Sequence, residues 1–331
     1  MLKKEIKLNE KVFSTHPELS ALRDGFGEGI VLAGEENKEV VVLCADLTDS
    51  TRSDKFQEKF PERFFEIGVA EQNLASVASG FAVSGKIPFI SSYAVFSPGR
   101  NLEQIRTTIC YNDSNVKIAG HHAGLSVGPD GATHQALEDI ALMRTLPNMK
   151  VIVPVDAIEA KKAILASSKI YGPVYIRLAR SLTPIITSEE TEFNPGIAYP
   201  LFEPKNKKID VLIVGAGPIL YQALLAAKKL EAEKINSVVL NLHTIKPLDT
   251  HTLLDFAKKA KAIITVEEHQ LNGGIGSAVS EFLSQKFPVP IEFIAVKDSF
   301  GESGTPSQLF KKFELDEDSI IKAVKKVIKR K

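Results

Sequence analysis

Tryptophan is absent from the 331 residues, cysteine occurs twice, and neither sign of charge is in excess. Each shortage excludes something. Two cysteines, Cys44 and Cys110, cannot frame a disulfide scaffold and have no metal-ligand spacing around them. Cys44 falls in the apolar run 40–45, where a thiol behaves as a small hydrophobe, and both are expected in the core. Lys plus Arg number 41 and Asp plus Glu 41. The basic stripe of a nucleic-acid binder and the polybasic anchor of a membrane-surface protein are therefore missing, and neither partner is expected. No apolar run approaches the roughly 20 residues of a membrane span. The opening residues 1–7 carry no apolar leader core, so the reducing cytoplasm is the expected compartment. What remains, 44% hydrophobic and 25% charged, is the composition of a folded globular chain. Its length predicts two domains.

Short β-branched runs alternate with helical patterns. Strands are predicted at 40–43, 88–92, 116–119, 151–153 and 174–176, and helices lie between them. One helix is predicted over 71–84, with Leu74, Val77, Ala78 and Phe81 on one face. Another opens at Asp156 with Glu159 three residues on, a capping-box pattern. Alternation of this kind implies a mostly parallel sheet flanked by helices, and near-continuous apolar strands agree with burial on both faces. Prolines and glycines without periodicity then predict a linker over 183–208. A second α/β domain follows over 209–331, with strands at 211–214, 237–242, 262–266 and 291–295 and a last helix over 319–329.

The generic phosphate motifs are weak. Gly215-Ala216-Gly217 follows a strand, but Leu220 stands where a dinucleotide fingerprint needs its third glycine. It reads as a tight turn, and Gly273-Gly274-Ile275-Gly276 reads as close helix–strand packing. Glu71, by spacing alone, is an acid at a helix start favoured by the helix dipole. The 120–135 segment carries three of the seven histidines, His121, His122 and His134, between a strand and a helix. Loops at the C-terminal ends of parallel strands form ligand sites, and polar recognition of a substrate suits them better than a metal. Arg177 and Arg180 follow a strand, where Arg180 could grip a phosphate or be solvated.

Taken together, Ala45-Asp46-Leu47, Gly68-Val69-Ala70-Glu71, Tyr93-Ala94-Val95-Phe96, Gly128-Pro129-Asp130-Gly131-Ala132-Thr133-His134-Gln135 and Phe300-Gly301-Glu302-Ser303 resemble the C-terminal half of transketolase over almost the whole chain. The resemblance implies a pyrimidine-binding domain over 1–182 and a transketolase C-terminal domain over 209–331. It implies thiamine diphosphate as cofactor, with Glu71 hydrogen-bonding its aminopyrimidine and promoting the tautomer that deprotonates the thiazolium carbon. Burial of a carboxyl favours the protonated form that can donate. Tyr93 and Phe96 correspond to positions that stack on the pyrimidine, and Asp46 and Leu47 to residues at the thiazolium and subunit interface. His134 corresponds to the histidine at the reacting carbonyl, Asp130 to the aspartate that reads the adjacent hydroxyl, and His122 and Arg180 to contacts for the distal phosphate of a sugar phosphate. Two departures stand out: Pro98-Gly99 where an aromatic is common, and Ala123 where an aspartate is common.

Deoxyxylulose-phosphate synthase and the beta subunits of 2-oxoacid dehydrogenases share the architecture, and remain alternatives, as does a non-catalytic binding or regulatory subunit. His122 and Phe300-Gly301-Glu302-Ser303 favour transketolase. The Gly-Asp-Gly segment with which such enzymes hold the diphosphate and its Mg²⁺ is missing from these 331 residues. The expectation is therefore the C-terminal subunit of a split transketolase, with no metal ligands of its own. A partner N-terminal subunit would carry the diphosphate and Mg²⁺ site, most simply in a heterotetramer.

Overall fold

The computed structural model describes residues 7–205 and 208–331. Fourteen strands are named here in chain order: β1 (Leu19–Ala21), β2 (Val40–Cys44), β3 (Phe64–Glu66), β4 (Ile87–Tyr93), β5 (Lys117–His121), β6 (Lys150–Ile152), β7 (Val174–Arg177), β8 (Leu182–Pro184), β9 (Tyr199–Phe202), β10 (Val211–Gly215), β11 (Ser237–Asn241), β12 (Thr244–Lys246), β13 (Ile263–Gln270) and β14 (Ile291–Val296). The fold is α/β, with two mostly parallel sheets flanked by helices. The first sheet runs β12-β6-β7-β5-β4-β2-β3, and the second β14-β13-β10-β11-β9. The apolar runs became central strands because both their faces are covered: every residue of β2, β5, β10 and β11 is buried.

Two features follow from packing rather than local pattern. The helix Leu22–Glu36 lies on the helix Ala157–Ser168 through Gly25 and Gly29; a Cβ on Gly25 would stand 2.0 Å from the Ala157 carbonyl oxygen. The stretch expected as linker contributes β8, which pairs with β1, and β9, which pairs antiparallel with β11.

The two sheets share one interior. β12, from the second half of the chain, adds antiparallel to β6 in the first sheet. A single apolar cluster contains Leu43, Ile90 and Val151 together with Val214, Leu240 and Ile263. Buried polar groups cross the same boundary in pairs. Glu159 accepts from Tyr199 Oη at 2.5 Å and from Asn241 Nδ2 at 2.9 Å. Arg177 bonds Asp139 at 2.8 Å and the Glu268 carbonyl at 2.8 Å. Cys44 and Cys110 are both buried and free, and burial pushes the Cys110 thiol up to about 12. No helix among the described residues is long and apolar enough to cross a membrane.

Candidate active site

Chain order reverses in the first sheet between β2 and β4: β3 lies beyond β2 on one side, and β5 and β7 beyond β4 on the other. Parallel sheets open a crevice at the C-terminal ends of the strands at such a switch point. Asp46 and Leu47 follow β2, Gly68 leads from β3 to the helix Glu71–Val83, Tyr93 ends β4, and His122 follows β5.

Glu71 is the first residue of its helix and only 1% exposed. Leu74, Ala75 and Ala78 bury the face below it. Its carboxyl does not cap its own helix. Instead Arg100 Nη1 donates to Oε2 at 2.5 Å, Ser92 Oγ lies 3.5 Å from Oε1, and Asn101 Nδ2 holds the Glu71 carbonyl at 2.9 Å. The same guanidinium lies over Phe96, 4.7 Å from ring centroid to Cζ. A flat, delocalised cation on an aromatic face, hydrogen-bonded to a buried carboxyl, makes the two contacts that an aminopyrimidine would make. Alongside lies a cleft of about 540 Å³ lined by Val69, Ala70, Glu71, Asn73, Arg100 and Gln104 among others. Glu71 and Phe96 therefore fit such a ring once Arg100 turns aside.

Tyr93 belongs to the same cluster differently. It stacks on His122, with centroids 4.0 Å apart and 19° between planes, so one of its faces is taken. Phe96 lies 6.1 Å from Tyr93, and His134 stands edge-on to Phe96 at 5.6 Å. The His134 ring nitrogen Nδ1 is 2.9 Å from Thr133 Oγ1. Burial pushes the His122 imidazole down to about 3, with the Arg180 guanidinium adding to the effect. At neutral pH it offers a hydrogen bond and no charge. Arg180 Nη1 donates to the Val127 carbonyl at 3.1 Å, and its Nε is 3.7 Å from Asp130 Oδ2. The structure thus gathers Glu71, Tyr93, Phe96, His122 and His134, with Asp130 of the 122–135 loop paired to Arg180 of the segment after β7.

Asp46 and Leu47 sit in a neighbouring turn. Asp46 has φ 57°, and its N–H donates to Glu66 Oε1 at 2.7 Å; the Gly68 N–H shares that oxygen at 2.9 Å. Thr48 Oγ1 donates to the other oxygen at 2.8 Å. Glu66 therefore ties the β2 turn to the turn that leads into Glu71. Leu47 packs on the core under the sheet.

Sequence reasoning missed Arg100, Glu66, Ser92 and Asn101. Arg100 stands 29 residues after Glu71, and nothing in the spacing sets their register. The Pro98-Gly99 departure explains how it gets there: a Cβ on Gly99 would meet the Val95 carbonyl oxygen at 2.0 Å, so this tight turn brings Arg100 back over Phe96. His121, next to His122, points the other way, edge-on to Phe26 at 4.5 Å in the core.

These features define a two-domain α/β protein with a buried carboxyl, an aromatic cluster and an adjoining cleft at the switch point of its first sheet. Residues 19–185 match the family described as transketolase, pyrimidine binding domain, and residues 202–320 the transketolase C-terminal domain. The chain belongs to the transketolase family. It is 40% identical over 313 residues to a Methanocaldococcus jannaschii protein named "Putative transketolase C-terminal section", covering 93% of this chain and 96% of that protein. It is 37% identical over 310 residues to Homo sapiens transketolase, covering 93% of this chain but 49% of that protein. A solved structure described as split gene transketolase, inactive beta4 tetramer, is 46% identical and superposes with a TM-score of 0.87, covering 94% of this chain and 99% of that one.

Proposed function

We propose that this chain is the C-terminal subunit of a split transketolase which, with a separate N-terminal subunit, transfers a two-carbon ketol unit from a ketose phosphate to an aldose phosphate. The observation that carries this reading is the Glu71 carboxyl: buried, spared from capping its own helix, and in contact with a flat nitrogen-bearing group on Phe96. Thiamine diphosphate, when bound, supplies a nucleophilic carbon and an electron sink. Glu71 would hydrogen-bond its pyrimidine and Phe96 and Tyr93 would flank it, with Asp46 and Leu47 toward the partner subunit. His134 would hydrogen-bond the donor hydroxyl and move a proton there, and Asp130 would read the neighbouring hydroxyl. Arg180 would carry the charge for the distal phosphate, since His122 is neutral and contributes a hydrogen bond alone.

The partner is inferred from relatives that this chain matches along almost their whole length: the protein named "Putative transketolase C-terminal section" is covered to 96% and the split gene transketolase chain to 99%, whereas human transketolase is covered to 49%. The diphosphate and its Mg²⁺ would then be held by the partner, most simply in an α₂β₂ assembly. The relative described as an inactive β₄ tetramer fits a subunit that needs that partner. The test is reconstitution with an N-terminal subunit, thiamine diphosphate and Mg²⁺, followed by a donor and acceptor screen. Ketol transfer from xylulose 5-phosphate that is lost in Glu71→Ala is the expected result. Turnover of pyruvate with none of xylulose 5-phosphate would reassign the chain to the 2-oxoacid enzymes.

A further inference from the structure

The loop over 122–135 is held from outside its own domain. Glu268, on β13 and buried, accepts the Ser126 N–H through Oε1. Gly124, at φ +88°, lies so close that a Cβ there would stand 2.3 Å from the same oxygen. At the other end of the loop, buried Gln135 donates from Nε2 to the Glu302 carbonyl at 2.9 Å, with the Leu125 and Gly128 carbonyls at 3.3 and 3.4 Å. Gly301 makes room for it: a Cβ there would be 1.8 Å from Gln135 Oε1. Between these points a Cβ on Gly131 would meet Ser303 Oγ at 2.6 Å. None of Glu268, Gln135 or Gly301 touches the Glu71 cleft, yet together they mould the backbone that carries His122, Asp130 and His134.

We propose that Glu268 and Gln135 are positioning residues through which the second domain sets the shape of the 122–135 loop, and so the affinity for the donor sugar phosphate. The inference rests on the donor-binding role given to that loop above. In the assembled enzyme, Glu268→Ala should raise KM for xylulose 5-phosphate about tenfold while kcat stays within about threefold. Thiamine diphosphate affinity should not move. Glu268→Gln, which keeps an oxygen for the Ser126 N–H, should restore most of the KM. Gly301→Ala, which pushes on Gln135 from the opposite side, should reproduce the KM effect. Amide hydrogen exchange should quicken over 122–135 in both alanine variants and stay unchanged in β2. Unchanged KM and exchange in Glu268→Ala and Gly301→Ala would overturn the proposal. So would a rise of KM accompanied by parallel losses of kcat, cofactor affinity and melting temperature, the mark of a merely structural role. If the wild-type assembly transfers no ketol unit, the functional reading falls separately. Loop exchange and calorimetric binding of xylulose 5-phosphate then decide the positioning role on their own: faster exchange with weaker binding supports it, and no change in either overturns it.

Discussion

Both sheets place a buried carboxyl beside a helix N-terminus at their C-terminal edge, and the two carboxyls are put to opposite uses. Glu267, on β13, lies under the helix Ile275–Lys286 and gives both oxygens to it: Oε2 accepts the Ile275 N–H at 2.6 Å and Oε1 the Gly276 N–H at 2.9 Å. Gly274 fits around it so closely that a Cβ would stand 1.9 Å from Oε2. A helix N-terminus is an anion site, and here the protein's own carboxyl fills it. The glycine-rich 273–276 turn is thereby closed to a phosphate. Glu71 is equally buried, each being 1% exposed, but it gives nothing to its own helix and faces a half-exposed arginine across a cleft. The residue type and the helix dipole are the same in both places. What makes one a candidate site is that its partner is a side chain that can turn to solvent, where the other's partners are fixed amides.

The largest effect should come from breaking that distinction at Glu71. In the reconstituted enzyme Glu71→Ala should lower kcat by about 10³-fold, within the range of a lost acid–base group, measured by steady-state ketol transfer. The chain's melting temperature should hardly move, because Arg100 can hydrate. Glu267→Ala should do the reverse. It orphans two buried N–H groups and should cost about 2–3 kcal/mol in urea unfolding, with kcat/KM unchanged. Loss of turnover in a stably folded Glu267→Ala would erase the contrast between the two carboxyls.

Much of the fold was legible in the sequence and little of this contrast was, and the reasons for the gaps are physical. The apolar runs at 40–43, 211–214 and 237–242 gave strands because a parallel strand is buried on both faces and is therefore mostly apolar. β12 is three residues long and pairs with a strand some 90 residues earlier, so neither periodicity nor length marks it. β9 hides in a proline-rich stretch for the same reason. The capping box at Asp156 is half present: Asp156 Oδ1 accepts the Glu159 N–H at 2.8 Å, but Glu159 is drawn to the Val155 N–H and across to Tyr199. Tertiary partners outbid the local motif. At the site, spacing alone makes Glu71 an ordinary helix-start acid, and only the family resemblance singled it out. Arg100 and Glu268 carry no local signal, since each acts on a residue far away in the chain.

The pH dependence of stability offers a finer separation. Burial pushes the Glu267 carboxyl up to about 7 from its ordinary 4.5, against the pull of the Gly276 and Ile275 amides. A raised carboxyl contributes stability in full below the unfolded value, and loses it as pH rises from 4.5 through about 7. Glu267→Gln cannot ionise. The urea midpoint of wild type relative to Glu267→Gln should therefore fall between pH 4.5 and 7 and level off above. Burial holds His269, 3.9 Å from Glu267, below its ordinary range, which costs stability as pH falls below 6.5. At that distance the two groups titrate as a pair, so the difference between the two proteins reads Glu267 together with its coupling to His269. A difference that stays flat across the window would mean that the two amides hold Glu267 ionised in the fold.

The smallest expected effect compares the glycines that lead into the two helices. Gly68 has φ +77° and nothing within 4 Å of where a Cβ would sit, so Gly68→Ala meets backbone strain alone. That should cost about 1 kcal/mol. Gly274 has a negative φ, −83°, but with ψ −149° it lies outside the broad β region, and its Cβ would collide with the Glu267 carboxyl. Gly274→Ala should cost about 2–3 kcal/mol, as overpacking does when the neighbour is held on both sides. Urea unfolding of the two variants side by side measures the order. If Gly68→Ala proves the more damaging, the turn before Glu71 is the tighter of the two. The carboxyl there would then be fixed by its backbone, not left free to meet a ligand.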